Sequence, residues 1–419
     1  MSSFRFPFLL LILLSSYATL AQEGNYDEAK VPPYTLPDPL RFENGKKVTT
    51  LEAWQQRRAE ILELAEREMY GRMPGRPDGM RFTVFEESDT ALGGKARRRQ
   101  VRVSFTDDPA GPGMDLLLYV PADANEPVPV FLGLNFQGNA AIQSDPAIRL
   151  TESWQYKGHK GVVDNRMTEA ARGATASRWP VEMIVERGYG VATIYCGDID
   201  PDYDDGFKNG VQALYPDLQN RGDNFSTMAA WAWGLSRALD YLETDENVDA
   251  QKVMAFGFSR TGKAALWAGA NDERFAMVIS NESGAGGAAL SKRIYGEDVD
   301  RLNRVFPHWF NQNFKKYSHR EAALPFDQHE IIALIAPRPV YIASAEGDQG
   351  SDPRGEFLAT QAASPVYELL GKKGLPAKKF PALHQPVMGT LGYHIRAGQH
   401  DVLPYDWQHF LDFADRQLK

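Results

Sequence analysis

The segment KVMAFGFSRTGKAALWAGA, residues 252–270, confines the chain to few folds. A short, continuously apolar run passes through a glycine-bounded turn straight into a helical pattern. Such a run needs cover on both faces, as in a parallel sheet packed between helices. Comparable apolar runs recur at 98–105, 114–121, 128–136, 189–196, 275–281 and 338–344. The first two lie close enough for an antiparallel hairpin, and the later ones alternate with helical patterns such as TMAAWAWGLSRALDYL at 227–242. The expectation is an α/β protein with a mostly parallel central sheet flanked by helices in a three-layer sandwich. Long, poorly patterned stretches at 137–175 and 284–330 read as insertions over one end of that sheet.

Of the 419 residues, 43% are hydrophobic, ample for a large core. Residues 1–21 carry Arg5, the apolar stretch FPFLLLILL and small residues ending at Ala21, the pattern of a secretory signal peptide. A secreted or periplasmic protein is expected, its mature chain beginning near Gln22 and leaving no part in the membrane. Residues 22–419 read as a single domain with a lead-in over about 22–95, in which LEAWQQRRAEILELAEREMY (51–70) has helical spacing and stops at Gly71. One cysteine, Cys196, excludes an internal disulfide framework and a Cys-rich zinc site. A formal net charge of −9 without long basic runs argues against nucleic acid as a partner.

The turn GFSRTGK (257–263) has two incompatible readings. It nearly spells the phosphate loop G-x-x-x-x-G-K-[ST], but the last position is Ala264 where the loop needs a hydroxyl for magnesium. It also resembles the nucleophile elbow G-x-S-x-G, with Gly257 two residues before Ser259 but Thr261 where the second glycine belongs, Gly262 following. A bland alternative makes Ser259 a helix cap. The elbow is the better reading if a base and an orienting acid follow in chain order.

His400, in GQHDVLPYDW ahead of a C-terminal helical pattern at 407–418, stands where an α/β-hydrolase carries its base. His394 and His409 read as packing or surface residues. Two acids follow strands, Glu282 in VISNESGAGG and Asp348 in IASAEGDQGSDP, and the sequence does not rank them; Glu346 and Asp352 read as rim carboxylates. Arg260 follows the nucleophile and is placed to donate to an oxyanion. Lys263 lies one helical turn past Ser259, as a pocket residue or an exposed charge. Arg and Lys beside the nucleophile suit an oxygen-rich substrate such as a uronic acid derivative.

The acidic run DIDPDYDDG (198–206) misses the calcium-loop pattern, because Gly206 is out of phase with its aspartates, and reads as a solvated loop. Neither a metal nor a cofactor is expected. Trp231 and Trp233 sit in a helical pattern and read as core, whereas Trp309 is open between core and sugar platform.

These residues resemble the glucuronoyl esterases, carbohydrate esterase family 15, particularly the bacterial branch. The resemblance rests on G-x-S-R-x-G-K at 257–263 and on EMYGRMP (68–74), NFQGN (135–139), SNESGAGG (280–287), APRPV (336–340) and GQHD (398–401). It implies an α/β-hydrolase fold and hydrolysis of the ester joining 4-O-methyl-glucuronic acid side groups of glucuronoxylan to lignin alcohols. A monomer is expected, although the sequence does not fix the oligomeric state. Carried onto this chain, Ser259 is the nucleophile, His400 the base, Glu282 or Asp348 the acid and Arg260 the oxyanion stabiliser. Lys263 and Glu330 are implied contacts to the uronate hydroxyls. Gly350 stands where many relatives have Trp, so part of their sugar platform is missing. The rival readings are an acetyl or other carbohydrate esterase on the same fold and a catalytically inactive polysaccharide-binding homologue.

Overall fold

Ten strands pair into one sheet in the computed structural model, which describes residues 24–108 and 110–419. The expected signal peptide and the start at Gln22 lie outside the described residues. The strands are β1 (Arg81–Thr90), β2 (Ala96–Ser104), β3 (Gly113–Pro121), β4 (Val128–Asn135), β5 (Gly190–Tyr195), β6 (Val248–Phe258), β7 (Met277–Asn281), β8 (Val340–Ala345), β9 (Val387–Met388) and β10 (Leu391–Arg396). Their order is β1-β2-β3-β5-β4-β6-β7-β8-β10-β9. β2 and β3 form the expected antiparallel pair, while β5, β4, β6, β7, β8 and β10 run parallel.

The period of two along these strands splits the core into two layers. In β6, Val253 and Ala255 join one hydrophobic cluster, and Met254, Phe256 and Phe258 join the other. In β8, Val340 and Ile342 part from Tyr341 and Ala343 in the same way. The first cluster is closed by α1 (Leu51–Ala65), α3 (Thr227–Leu242), α4 (Arg260–Asn271), α5 (Gln328–Ala333) and α6 (Pro353–Ala362). The second is closed by α2 (Val181–Glu186) and α7 (Pro404–Leu418). Trp407 of α7 packs its ring 4.6 Å from Phe256 and 5.4 Å from Phe131; truncating such a side chain to Ala costs about 3–5 kcal/mol. Trp231 and Trp233 are buried in α3, as core residues.

Two elements depart from expectation. The helix from Leu51 runs as α1 to Ala65, then widens into a π turn over Glu66–Tyr70. It stops at Gly71, at φ +88, where a Cβ would lie 1.8 Å from the Asn224 carbonyl oxygen. The strand β1 was not expected. None of its residues is buried, so it carries no apolar alternation to read. It is an edge strand, held by its ladder to β2 and by Arg98, whose Nη2 donates to Glu86 at 2.6 Å.

Parallel strands bring their C-terminal ends to one side of the sheet, where binding sites of open α/β sheets form. The register Phe258–Asn281–Ala343–His394 across β6, β7, β8 and β10 aligns the loops that follow them. Ser259, Glu282, Asp348 and His400 all leave the sheet at this edge. The 137–175 insertion lies over it and supplies Trp154, Tyr156 and His159 to the cleft there.

Candidate active site

Ser259 sits between β6 and α4 at φ +56, ψ −130, a backbone conformation that costs a non-glycine residue about 1–3 kcal/mol. Its neighbours hold it there. The Ser259 N–H donates to the Asn281 carbonyl at 2.8 Å. Thr261, in the place of the second motif glycine, is buried. Its Oγ1 accepts the Phe258 N–H at 3.0 Å, and its hydroxyl donates to the Phe258 carbonyl at 2.8 Å. Thr261 thus braces the turn from inside. Gly257 and Gly262 supply the clearance: a Cβ on the first would lie 2.1 Å from the Thr261 carbonyl oxygen, and one on the second 2.9 Å from Ser280 Oγ. The Ser259 side chain makes no cap bond to α4, which removes the helix-cap alternative.

His400 and Ser259 line one cleft of about 590 Å³, within the roughly 300–1,000 Å³ of small-ligand sites. His400 Nδ1 lies 2.6 Å from Asp348 Oδ2 and 3.2 Å from Glu282 Oε2, and its ring lies 4.6 Å from that of Phe258. Burial works against a charge on His400, but the bonds from Asp348 and Glu282 outweigh it and lift its pKa from 6.5 to about 9. Burial raises Glu282 to about 7, against the pull of His400 and Arg396. Burial would raise Asp348 too, yet the bond to His400 prevails and holds it below the usual carboxylate range. Both acids left open by the sequence therefore face the same imidazole nitrogen, Asp348 more closely.

Among the described residues, Glu282, Asp348 and His400 also form a group close enough to share a metal ion. The donor set fits one poorly. Glu282 Oε1 already faces the Arg396 guanidinium at 2.5 Å, and Nδ1 of His400 is committed to the carboxylates.

Arg260 opens α4, so its N–H has no intrahelical acceptor and is free for an oxyanion. Its guanidinium pairs with Asp202 and lies 5.0 Å from the Trp309 ring centroid. Asp202 also accepts from Trp309 Nε1 at 2.8 Å and lies 3.0 Å from His308 Nε2. Burial would raise this carboxyl, but His308, Arg260 and Trp309 hold it at about 2. The run 198–206 is therefore not simply a solvated loop. Asp200 is 2% exposed and accepts from Gln212, and Asp198 accepts from Thr151 and Ser153. The three aspartates of this segment leaving β5 thus face three different sets of partners, and only Asp202 reaches Arg260. Trp309 resolves as a buried ring stacked on Phe306 at 3.7 Å, and Phe306 lines the cleft in its stead.

Other expected site residues lie deeper. Lys263 is 3% exposed, not a surface charge. Its ammonium donates to the carbonyls of Ser283 and Ala285 at 2.5 and 2.6 Å, and burial lowers its pKa to about 8. Glu330 is not brought into the cleft: it is fully buried on α5 and accepts from Arg57 Nη2 at 2.8 Å. Asp352 is a correction as well, since it is 1% exposed, pairs with Arg293 at 2.9 Å and caps α6; Glu346 is exposed, as expected of a rim residue. His394 is a packing residue, fully buried, 2.8 Å from Asp406.

A glucuronyl esterase family model of fungal type matches residues 177–371. A carbohydrate esterase, MZ0003, of an unknown prokaryotic organism is 52% identical over 94% of this chain and 92% of its own length. The chain belongs to the glucuronoyl esterases of carbohydrate esterase family 15. A solved glucuronoyl esterase from Solibacter usitatus is 51% identical, with a TM-score of 0.88 over 93% of this chain and all of the other. A promiscuous family 15 esterase from a marine bacterial metagenome reaches 0.89 at the same identity, over 94% of this chain and all of the other. The glucuronoyl esterase described here is accordingly a carboxylic ester hydrolase of α/β-hydrolase fold. No helix among its described residues is long and apolar enough to cross a membrane.

Proposed function

We propose that Ser259, His400 and the Asp348–Glu282 pair hydrolyse the ester between a 4-O-methyl-glucuronic acid side group of glucuronoxylan and a lignin alcohol. Ser259 Oγ attacks the ester carbonyl as His400 Nε2 takes its proton. The Arg260 N–H and guanidinium meet the oxyanion, His400 returns the proton to the departing alcohol, and water cleaves the acyl-enzyme by the reverse sequence. The observation that carries this reading is the 2.6 Å contact from Asp348 to Nδ1 of a histidine that shares its cleft with a serine at φ +56. Arg178 and Arg260 suit the oxygen-rich uronate, and Phe136, Phe306, Trp154 and Tyr156 suit an aromatic alcohol. Residues 22–419 act as one catalytic domain, secreted or periplasmic, which the apolar leader at 1–21 supports.

The test is hydrolysis of benzyl glucuronate and of an acetylated sugar by the wild type and Ser259→Ala. The expected result is uronate ester cleavage that disappears with Ser259; activity surviving the substitution would refute the mechanism. A second reading, a broader carbohydrate esterase, is favoured by open space at Gly350, where a Cβ would meet only Asp348 Oδ1, at 3.7 Å. Faster cleavage of the acetyl ester would select it.

A further inference from the structure

Arg396 ends β10 four residues before His400 and is 1% exposed. A buried guanidinium has five N–H donors to satisfy, and each nitrogen here has partners. Nε donates to Asp406 at 2.9 Å, the carboxylate that also accepts the Leu403 N–H at the start of α7. Nη1 donates to the carbonyls of Ala397 and Gln399 at 3.2 and 3.1 Å. Nη2 donates to Glu282 Oε1 at 2.5 Å and to the Asp401 carbonyl at 2.6 Å. The loop thus winds around the guanidinium with the carbonyls of 397, 399 and 401 turned inward, while His400 between them reaches the cleft. Gly398, at φ +108, allows this path, for a Cβ there would come 3.2 Å from Nη1. The Asp401 N–H closes the circle on Glu282 Oε2 at 3.2 Å.

We propose that Arg396 is a positioning residue for the reaction: its planar fork locks the base-bearing loop and Glu282 into one unit and thereby fixes the His400 imidazole against the acids. Lysine cannot replace it, because a single ammonium has no fork with which to reach the carbonyls of 397, 399 and 401 and the Glu282 carboxylate at once. The inference rests on His400 being the base.

Arg396→Lys, Asp406→Asn and His400→Ala in the full chain test it by thermal melting and by separate kcat and KM for a glucuronate ester. Arg396→Lys is expected to lower kcat at least tenfold with KM within twofold. Asp406→Asn leaves the Nη1 and Nη2 bonds to the loop carbonyls and to Glu282 in place and is expected to lower the melting temperature with kcat within twofold. Should the lysine variant not fold, Arg396→Gln carries the same expectation. Full kcat in Arg396→Lys, or kcat losses that follow melting losses across both sites, would overturn the positioning role. Activity retained by His400→Ala would remove the base assignment itself, a different failure.

Discussion

Removing the two acids one at a time should damage different properties of the enzyme. Asp348→Ala deletes the 2.6 Å contact to His400 Nδ1. A hydrogen bond between charged groups is worth about 1.5–3 kcal/mol, or roughly 10- to 150-fold in rate if its whole value is expressed in the transition state. The His400 side chain is 40% exposed and Glu282 remains 3.2 Å away, so screening and the second carboxylate favour the lower end, about tenfold in kcat. Its folding stability should fall only modestly, by about 1.5 kcal/mol or less, because the pair is partly exposed. Glu282→Ala instead strips a carboxylate from the buried Arg396 guanidinium. Breaking a buried pair costs about 3–5 kcal/mol, a large share of a marginal total. Steady-state hydrolysis of a glucuronate ester gives kcat, and calorimetry gives the melting temperature. The expected pattern is a kcat loss with a small melting change for Asp348→Ala and a clear, larger melting loss for Glu282→Ala. The reverse pattern would refute this division, and equal small losses from both would mean that neither acid orients the base.

The base must be neutral to accept a proton, and its pKa is raised from 6.5 to about 9. The acid limb of kcat/KM should therefore lie above 6.5 and move to lower pH in Glu282→Gln, which removes one negative charge; an unmoved limb would contradict the coupling. Asp202→Asn should loosen Arg260 and lower kcat about tenfold with little change in KM, the scale of one charge-assisted hydrogen bond; unchanged kcat would make the Asp202–Arg260 pair ornamental to the chemistry. Glu356, fully buried on α6, is raised by burial from 4.5 to about 8 while accepting the Ser344 hydroxyl and the Gly284 N–H. The folded state keeps this proton where the unfolded chain has lost it, so the group's contribution is complete below pH 4.5 and is lost as pH rises through about 8. The melting temperature of Glu356→Gln should accordingly gain on wild type between pH 5 and 9, by no more than about 5 kcal/mol in stability; a constant difference would exclude the buried titration. Gly350→Trp should fold normally, given the open space, and lower KM for a glucuronate ester; a melting loss above a few degrees would show that the space is not free.

The legible part of this protein is its local part. Apolar runs exposed the parallel strands, and GFSRTGK exposed the strained turn at Ser259 because strand end, turn and helix start are neighbours in the chain. That His400, Glu282 and Asp348 would come together was legible from their order after successive strands. What escaped is carried by contacts between distant residues or by surfaces without a pattern. Glu330 pairs with Arg57 273 positions away, so nothing near either residue announces its burial. Lys263 lies on the expected helix face, but the carbonyls that receive it come from the loop after β7. The strand β1 has no buried face, and the partners of Asp202 come from 260, 308 and 309.

The backbone of Ser259 has one more consequence. Glycine adopts φ +56 without the steric cost that serine bears there, so replacing Ser259, the proposed nucleophile, by glycine relaxes the turn. At this position the fold and the chemistry make opposite demands, and loss of the reaction is energetically downhill. A chain that only held polysaccharide would be more stable with glycine at 259, so the strain at Ser259 is a stability cost that the proposed reaction alone requires.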